Sequence, residues 1–208
     1  MKLHRVEGGH SDWQNQTPEK DNLFQSMARS TRGIITPGNI ISLSGLILTI
    51  NGIRDVSKGR TKKGLAKILI GRLFDIADGA AAEATRTKSP IGEKVDSGVD
   101  KMLAFYGVYK LRNKLPDDLL ASVFLYNSTS SLINLKAFFE DAEPHSSAEG
   151  KITTAMEWGL IVLNLANSYF EEKNPEINFS SELRTLNVAS SAIGAKALMG
   201  YMKSERQK

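Results

Sequence analysis

The sequence predicts an all-α integral membrane bundle of about six transmembrane helices, preceded by an amphipathic helix on the membrane surface. Three observations predict it. First, long stretches are almost free of charge: 34–53 and 119–135 carry none, 152–170 carries only Glu157, and 185–202 carries only Lys196. These lengths lie near the roughly 20 residues that cross a bilayer core. Second, strand-period alternation is weak everywhere, which leaves helix as the regular structure. Third, the mean hydropathy of −0.24 hides a segregation, because polar residues gather in the N-terminal segment and the connections.

Taken in order, residues 1–16 read as a flexible tail and 17–33 as an interfacial helix. Thr17 and Pro18 suit its N-cap and first turn. Leu23, Phe24, Met27 and Ala28 recur at helical spacing, with Lys20, Arg29 and Arg32 among the polar positions. Residues 34–203 then form one six-helix membrane domain. Pro37 and Gly38 open its first apolar run, and the basic stretch "RDVSKGRTKKG" connects it to the second. The second and third crossings, near 64–82 and 91–111, hold aspartates and would not be chosen on hydropathy alone. Pro116 marks a turn before the fourth. The breaks "FFEDAEPHSSAEGK" and "FEEKNPEINFSSE" bound the fifth, and the sixth helix should start near Ser180 or Ser181. Three of the six crossings are clear from length and low charge. Composition alone leaves a second architecture open, a soluble helical bundle, because Ser42, Ser44, Asn51, Asn127, Asn164 and Asn167 fall inside the apolar runs. In a membrane such groups would face neighbouring helices and hydrogen-bond there.

The chain of 208 residues has 27 Lys+Arg against 23 Asp+Glu, a formal charge of +4. A mildly basic balance fits an anionic membrane surface or nucleic acid alike. With the charge-free runs beside it, membrane lipid is the expected partner, and no nucleic acid is expected. With no cysteine, disulfides and thiolate metal sites are excluded. His4, His10 and His145 have no ligand-like spacing. The first residues lack an apolar core, so no cleavable signal peptide is expected. Six crossings put both termini on one side, and the positive-inside rule favours the cytoplasm by a narrow margin, because the Arg54–Lys63 cluster lies opposite.

Within "FDIADGAAAEATRTKSPIGEKVDSGVDK" stand four aspartates, Asp75, Asp78, Asp96 and Asp100. Spacings of three and four put each pair on one helix face. Pro90 and Gly92 supply a turn between them. Four carboxylates brought together in a poorly solvated site need cations, and Mg²⁺ or Mn²⁺ suits oxygen donors. Two such ions clamp a phosphate or diphosphate. The small residues after Asp78, beginning with Gly79, admit a ligand or a neighbouring backbone. The ordinary alternative pairs the acids with Arg72, Lys94 and Lys101 on solvated faces.

The same residues resemble the CDP-alcohol phosphotransferase family. Its signature is D-x-x-D-G-x-x-A-R, eight residues, then G-x-x-x-D-x-x-x-D. Asp75, Asp78, Gly79, Ala82, Gly92, Asp96 and Asp100 fall in register with it, and Glu83 stands at the arginine position. "ITPGNIISLSGLIL" is similar to the family's first membrane helix. "GKITTAMEW" is similar to a segment of its phosphatidylglycerophosphate and cardiolipin synthase branches.

The resemblance implies a membrane enzyme of phospholipid biosynthesis. It would move a substituted phosphate from a CDP-linked donor, CDP-diacylglycerol or another CDP-alcohol, to a small alcohol, with release of CMP. Glycerol 3-phosphate is the favoured acceptor, after phosphatidylglycerophosphate synthase. By resemblance, Asp75, Asp78, Asp96 and Asp100 hold two Mg²⁺ or Mn²⁺ ions, and Asp100 is also the general base. Gly79, Ala82 and Gly92 line the donor pocket. Arg86, one turn beyond Glu83, takes over the phosphate contact, with Lys88 as a second candidate. Lys151 and Arg112 are candidates for an acceptor phosphate or for interfacial anchors. The expected setting is the inner membrane with the site facing the cytoplasm, and a homodimer is the expected assembly. Glu83 and the polar faces open a second expectation, an impaired family member that binds a nucleotide-lipid or a partner helix, and a soluble helical protein with an Asp-rich metal site is a third.

Overall fold

The computed structural model describes residues 23, 26, 30–31, 36–85, 90–139 and 148–205. Among them it contains six long helices and no strand: α1 Pro37–Ser57, α2 Thr61–Ala84, α3 Pro90–Leu111, α4 Asp117–Phe139, α5 Ala148–Lys173 and α6 Ser180–Glu205. All six expected segments are therefore helical. The expected interfacial helix lies largely outside the described residues; of those described, Leu23, Ser26 and Ser30 are helical and exposed. Of the three crossings that read as clear, only α1 is long and apolar enough to span a membrane by composition. The other helices extend past their apolar runs into charged turns, as α4 does at Asp117, Asp118 and Lys136.

Helix ends follow local chemistry. Thr36 Oγ1 accepts the Asn39 amide at 3.0 Å, and Pro37 occupies the first helical position, where its missing N–H costs nothing. α1 ends in a Schellman turn: Gly59 has φ +81°, its N–H reaches Val56 O at 2.9 Å, and Arg60 N–H reaches Asp55 O at 2.9 Å. Asn178 Oδ1 accepts the Ser180 amide at 2.8 Å and starts α6.

The chain divides into two compact units, Met1–Thr49 with Ile70–Val99 and Ile50–Leu69 with Asp100–Lys208, so the division falls inside α1, α2 and α3. In the first unit, α1 and α2 run antiparallel with their backbones in near contact. A Cβ on Gly45 would lie 2.7 Å from Gly71 O, and one on Gly38 would lie 3.1 Å from Asp78 O. Seven residues forward on α1 match seven back on α2, a helical seam that only small residues permit. In the second unit the same spacing brings a Cβ on Gly52 to 2.7 Å from Gly64 O. There Asp55, at the end of α1, is 4% exposed and accepts Lys67 Nζ at 2.7 Å and Arg60 Nε at 2.9 Å.

The rest of the second unit packs α6 against α5 and α4. Its buried face on α6 runs Leu183, Asn187, Ser190, Gly194, Ala197 and Tyr201, at three- and four-residue steps. Polar groups share that interior. Asn127 Nδ2 donates to Glu157 Oε2 at 2.9 Å, Ser191 Oγ to Ser122 Oγ at 2.8 Å, and Asn167 Nδ2 to Ser180 Oγ at 3.2 Å. Meanwhile Leu125, Leu132, Leu163, Leu186 and Val188 are exposed. Polar groups thus share the buried face of α4, α5 and α6 with Leu119, Val123, Leu160, Ile161 and Leu165, while large apolar side chains stand exposed on the same helices.

Candidate metal and donor site

The second half of α2 carries Asp75, Asp78, Gly79 and Ala82, all in the first unit. Asp78 is 9% exposed. Its position follows from the seam: the backbone of α2 lies against Gly38 at Asp78 itself and against Gly45 one to two turns earlier, at Gly71 and Phe74. From α1, Ser42 Oγ donates to Asp78 Oδ2. Asp75, one turn before, is more open, and Arg72 Nη2 donates to its Oδ2 as an ion pair. The Arg72 pairing that an ordinary surface reading expects is therefore present. It involves Asp75, and Asp78 is held by a neutral hydroxyl.

Gly79 is exposed, and among the described residues no atom lies within 4 Å of where a Cβ would stand. Ala82 faces the seam: a Cβ on Gly38 would lie 3.1 Å from the Ala82 Cβ. Glu83 is exposed in the last turns of α2. Arg86 and Lys88 lie outside the described residues. Gly92 and Asp96 belong to the helical backbone of α3, and their side-chain positions lie outside the described residues as well. Asp100 is half-buried on α3 in the second unit. Among the described residues, no three His, Asp or Glu side chains come together as a metal centre.

Two residues considered for an acceptor phosphate lie in the second unit. Lys151 is exposed in the first turn of α5. The Arg112 guanidinium stands 5.0 Å from the Tyr109 ring centre and borders a shallow hollow with Ser57, Lys110 and Asn113. A cation over an exposed tyrosine suits an interfacial anchor.

Sequence reasoning missed the Ser42 contact. The signal is present in the sevenfold glycine spacing, Gly38, Gly45 and Gly52 on one helix and Gly64 and Gly71 on the next. Aligned antiparallel, that spacing puts Ser42 opposite the Phe74–Asp78 turn.

Compared with known proteins, residues 33–194 match the family model for CDP-alcohol phosphatidyltransferase. The chain belongs to the CDP-alcohol phosphatidyltransferase family. No curated protein and no solved structure matches it. The match covers α1 to α5 and α6 as far as residue 194, so the resemblance extends well beyond the aspartates. The chain is accordingly a transferase of substituted phosphate groups, and its family moves a phosphatidyl group from a CDP-alcohol to an alcohol. Members generally depend on a divalent metal and are typically membrane proteins. The carboxylate pair of α2 fits that dependence, since Asp75 and Asp78 offer hard oxygen donors and Asp78 is nearly removed from water.

Proposed function

We propose that this transferase is an integral membrane enzyme that takes the phosphatidyl group from CDP-diacylglycerol and delivers it to a small alcohol, glycerol 3-phosphate first among them. The observation that carries the reading is the Asp75–Asp78 pair: two carboxylates one helical turn apart, Asp78 only 9% exposed, within the family's signature spacing. Asp75, Asp78, Asp96 and Asp100 are the residues that would hold two Mg²⁺ or Mn²⁺ ions. Bound there, the ions supply positive charge to the diphosphate and to departing CMP.

The protein's own groups do the rest. Asp100 accepts the proton of the acceptor hydroxyl as its oxygen bonds to phosphorus and the bond to the CMP oxygen breaks. The open space at Gly79 leaves room for the donor to approach the α2 backbone, with Ala82 and Gly92 lining the same pocket. Arg86 contacts the donor phosphates in place of the arginine that Glu83 displaces.

Buried polar groups beside exposed apolar side chains on α4–α6 support the membrane setting. Buried Asn127, Glu157, Asn164 and Asn187 against exposed Leu125, Leu132, Leu163 and Val188 would be costly in water and suit lipid. A lipid donor explains the arrangement, since its acyl chains stay in the bilayer while its headgroup reaches the acids. We place the site on the cytoplasmic side of the inner membrane. The second unit's exposed apolar faces are compatible with a homodimer.

The test is CMP release by the full-length chain, purified in detergent, from labelled CDP-diacylglycerol with a panel of alcohols. Release that needs Mg²⁺ or Mn²⁺, stops with chelator and is fastest with glycerol 3-phosphate is the expected result. No release with any acceptor would favour an impaired member, the reading that exposed Glu83 motivates. Resistance of the chain to alkaline carbonate extraction checks the membrane setting, and release into the soluble fraction would overturn it.

A further inference from the structure

We propose that Ser42 is a positioning residue for Asp78, fixing one carboxylate oxygen and leaving the other for a divalent cation. This rests on the reading of Asp78 as a metal ligand. Ser42 is half-buried on α1, and its Oγ has two acceptors in reach, Gly38 O at 3.1 Å and Asp78 Oδ2. A hydroxyl has one proton to give. An anionic acceptor binds it more strongly than a neutral carbonyl, so the proton goes to Asp78.

The backbone arrangement makes that contact specific. Serine has the shortest hydroxyl side chain, so it reaches a carboxylate on a neighbouring helix only where the backbones nearly touch. Gly38 lies four residues before Ser42 and Gly45 three after, which puts all three on one face of α1. Both glycines abut the α2 backbone, Gly38 at Asp78 and Gly45 at Gly71. The close approach is therefore centred on Ser42. Bonds of this kind, made to a metal ligand by a residue that does not touch the metal, set the ligand's orientation. Their loss typically lowers metal affinity by about 10–100-fold.

The inference is tested by Mn²⁺ binding to the purified full chain in detergent, without donor or acceptor, followed by the electron paramagnetic resonance of free Mn²⁺. Ser42→Ala should weaken binding by about 10–100-fold. Ser42→Thr keeps the hydroxyl and should stay near the parent value. Ser44→Ala is the control. It removes a hydroxyl that donates to Ile40 O at 2.9 Å, the same kind of helical contact without an acid, and should change nothing. Ser42→Cys, similar in volume and a poor donor, should match the alanine variant and keeps the test decisive if alanine destabilises the chain.

Unchanged affinity in Ser42→Ala, with binding abolished in Asp78→Asn, overturns the positioning role and leaves the metal reading intact. Equal weakening in Ser42→Ala, Ser42→Thr and Ser44→Ala also overturns it, since that is general loosening of α1. Full Mn²⁺ binding in Asp78→Asn overturns the metal reading itself.

Discussion

The α1–α2 seam and the α4–α6 bundle both bury polar side chains, and they satisfy them in different ways. At the seam the buried polar groups include two carboxylates, Asp55 and Asp78, and glycines bring Asp78 against the next backbone. In the bundle, buried amides and partly buried hydroxyls make bonds across helices, as Asn127 does to Glu157 and Ser191 to Ser122. Amides and hydroxyls donate and accept, so they can complete one another. An ionised carboxylate only accepts, and several together call for cations. Asp78 differs in having a neutral hydroxyl, that of Ser42, for its partner.

Substitutions should separate the two regions. The largest effect is expected at the seam's acids. Asp78→Asn or Asp75→Asn should lower CMP release by more than the roughly 100-fold that marks the upper cost of losing an outer-shell partner, with little change in thermal unfolding. Preserved turnover in both variants would remove the metal assignment and make the two regions alike. Next is the packing of the seam. Gly71→Val puts side-chain atoms where Gly45 O already lies 2.6 Å from an added Cβ, and should cost about 1–3 kcal/mol in unfolding measurements as well as activity.

In the bundle, Asn127→Ala takes the donor from Glu157 Oε2, whose Oε1 already has no hydrogen-bond partner. The expected result is about 1–3 kcal/mol lost in unfolding with turnover per folded molecule unchanged. A loss of turnover without loss of stability would mean that the bundle also serves the site. The smallest effect is expected for Glu83→Arg on the exposed end of α2. Restoring the family's charge there should lower the KM for donor by up to about fivefold, the scale of an exposed ion pair.

Much of the fold is legible in the amino-acid sequence. Four of the six helices follow from runs with one charge or none, and Pro, Gly and Ser punctuation helps to bound the segments, because helix boundaries depend on local chemistry. Thr36-Pro37 at the start of α1 and Asn178–Ser180 at the start of α6 are examples. The family follows from spacing, because residues at fixed offsets on a helix keep fixed directions. Hydropathy is less informative. It marks three clear crossings where, among the described residues, α1 alone qualifies by composition. It averages over a helix and so does not report which side of each helix is polar.

The sequence by itself determined the helices, the carboxylate spacing and the sevenfold glycine pattern, all properties of positions along one chain. Only the tertiary structure decided which helix meets which, and so which acid receives which partner. Arg72 pairs with Asp75 along α2, a contact within reach of spacing alone. Ser42 bonds Asp78 from α1, 36 residues away in the chain. That bond depends on how closely two backbones approach, a distance set by packing the glycines of one helix against the other.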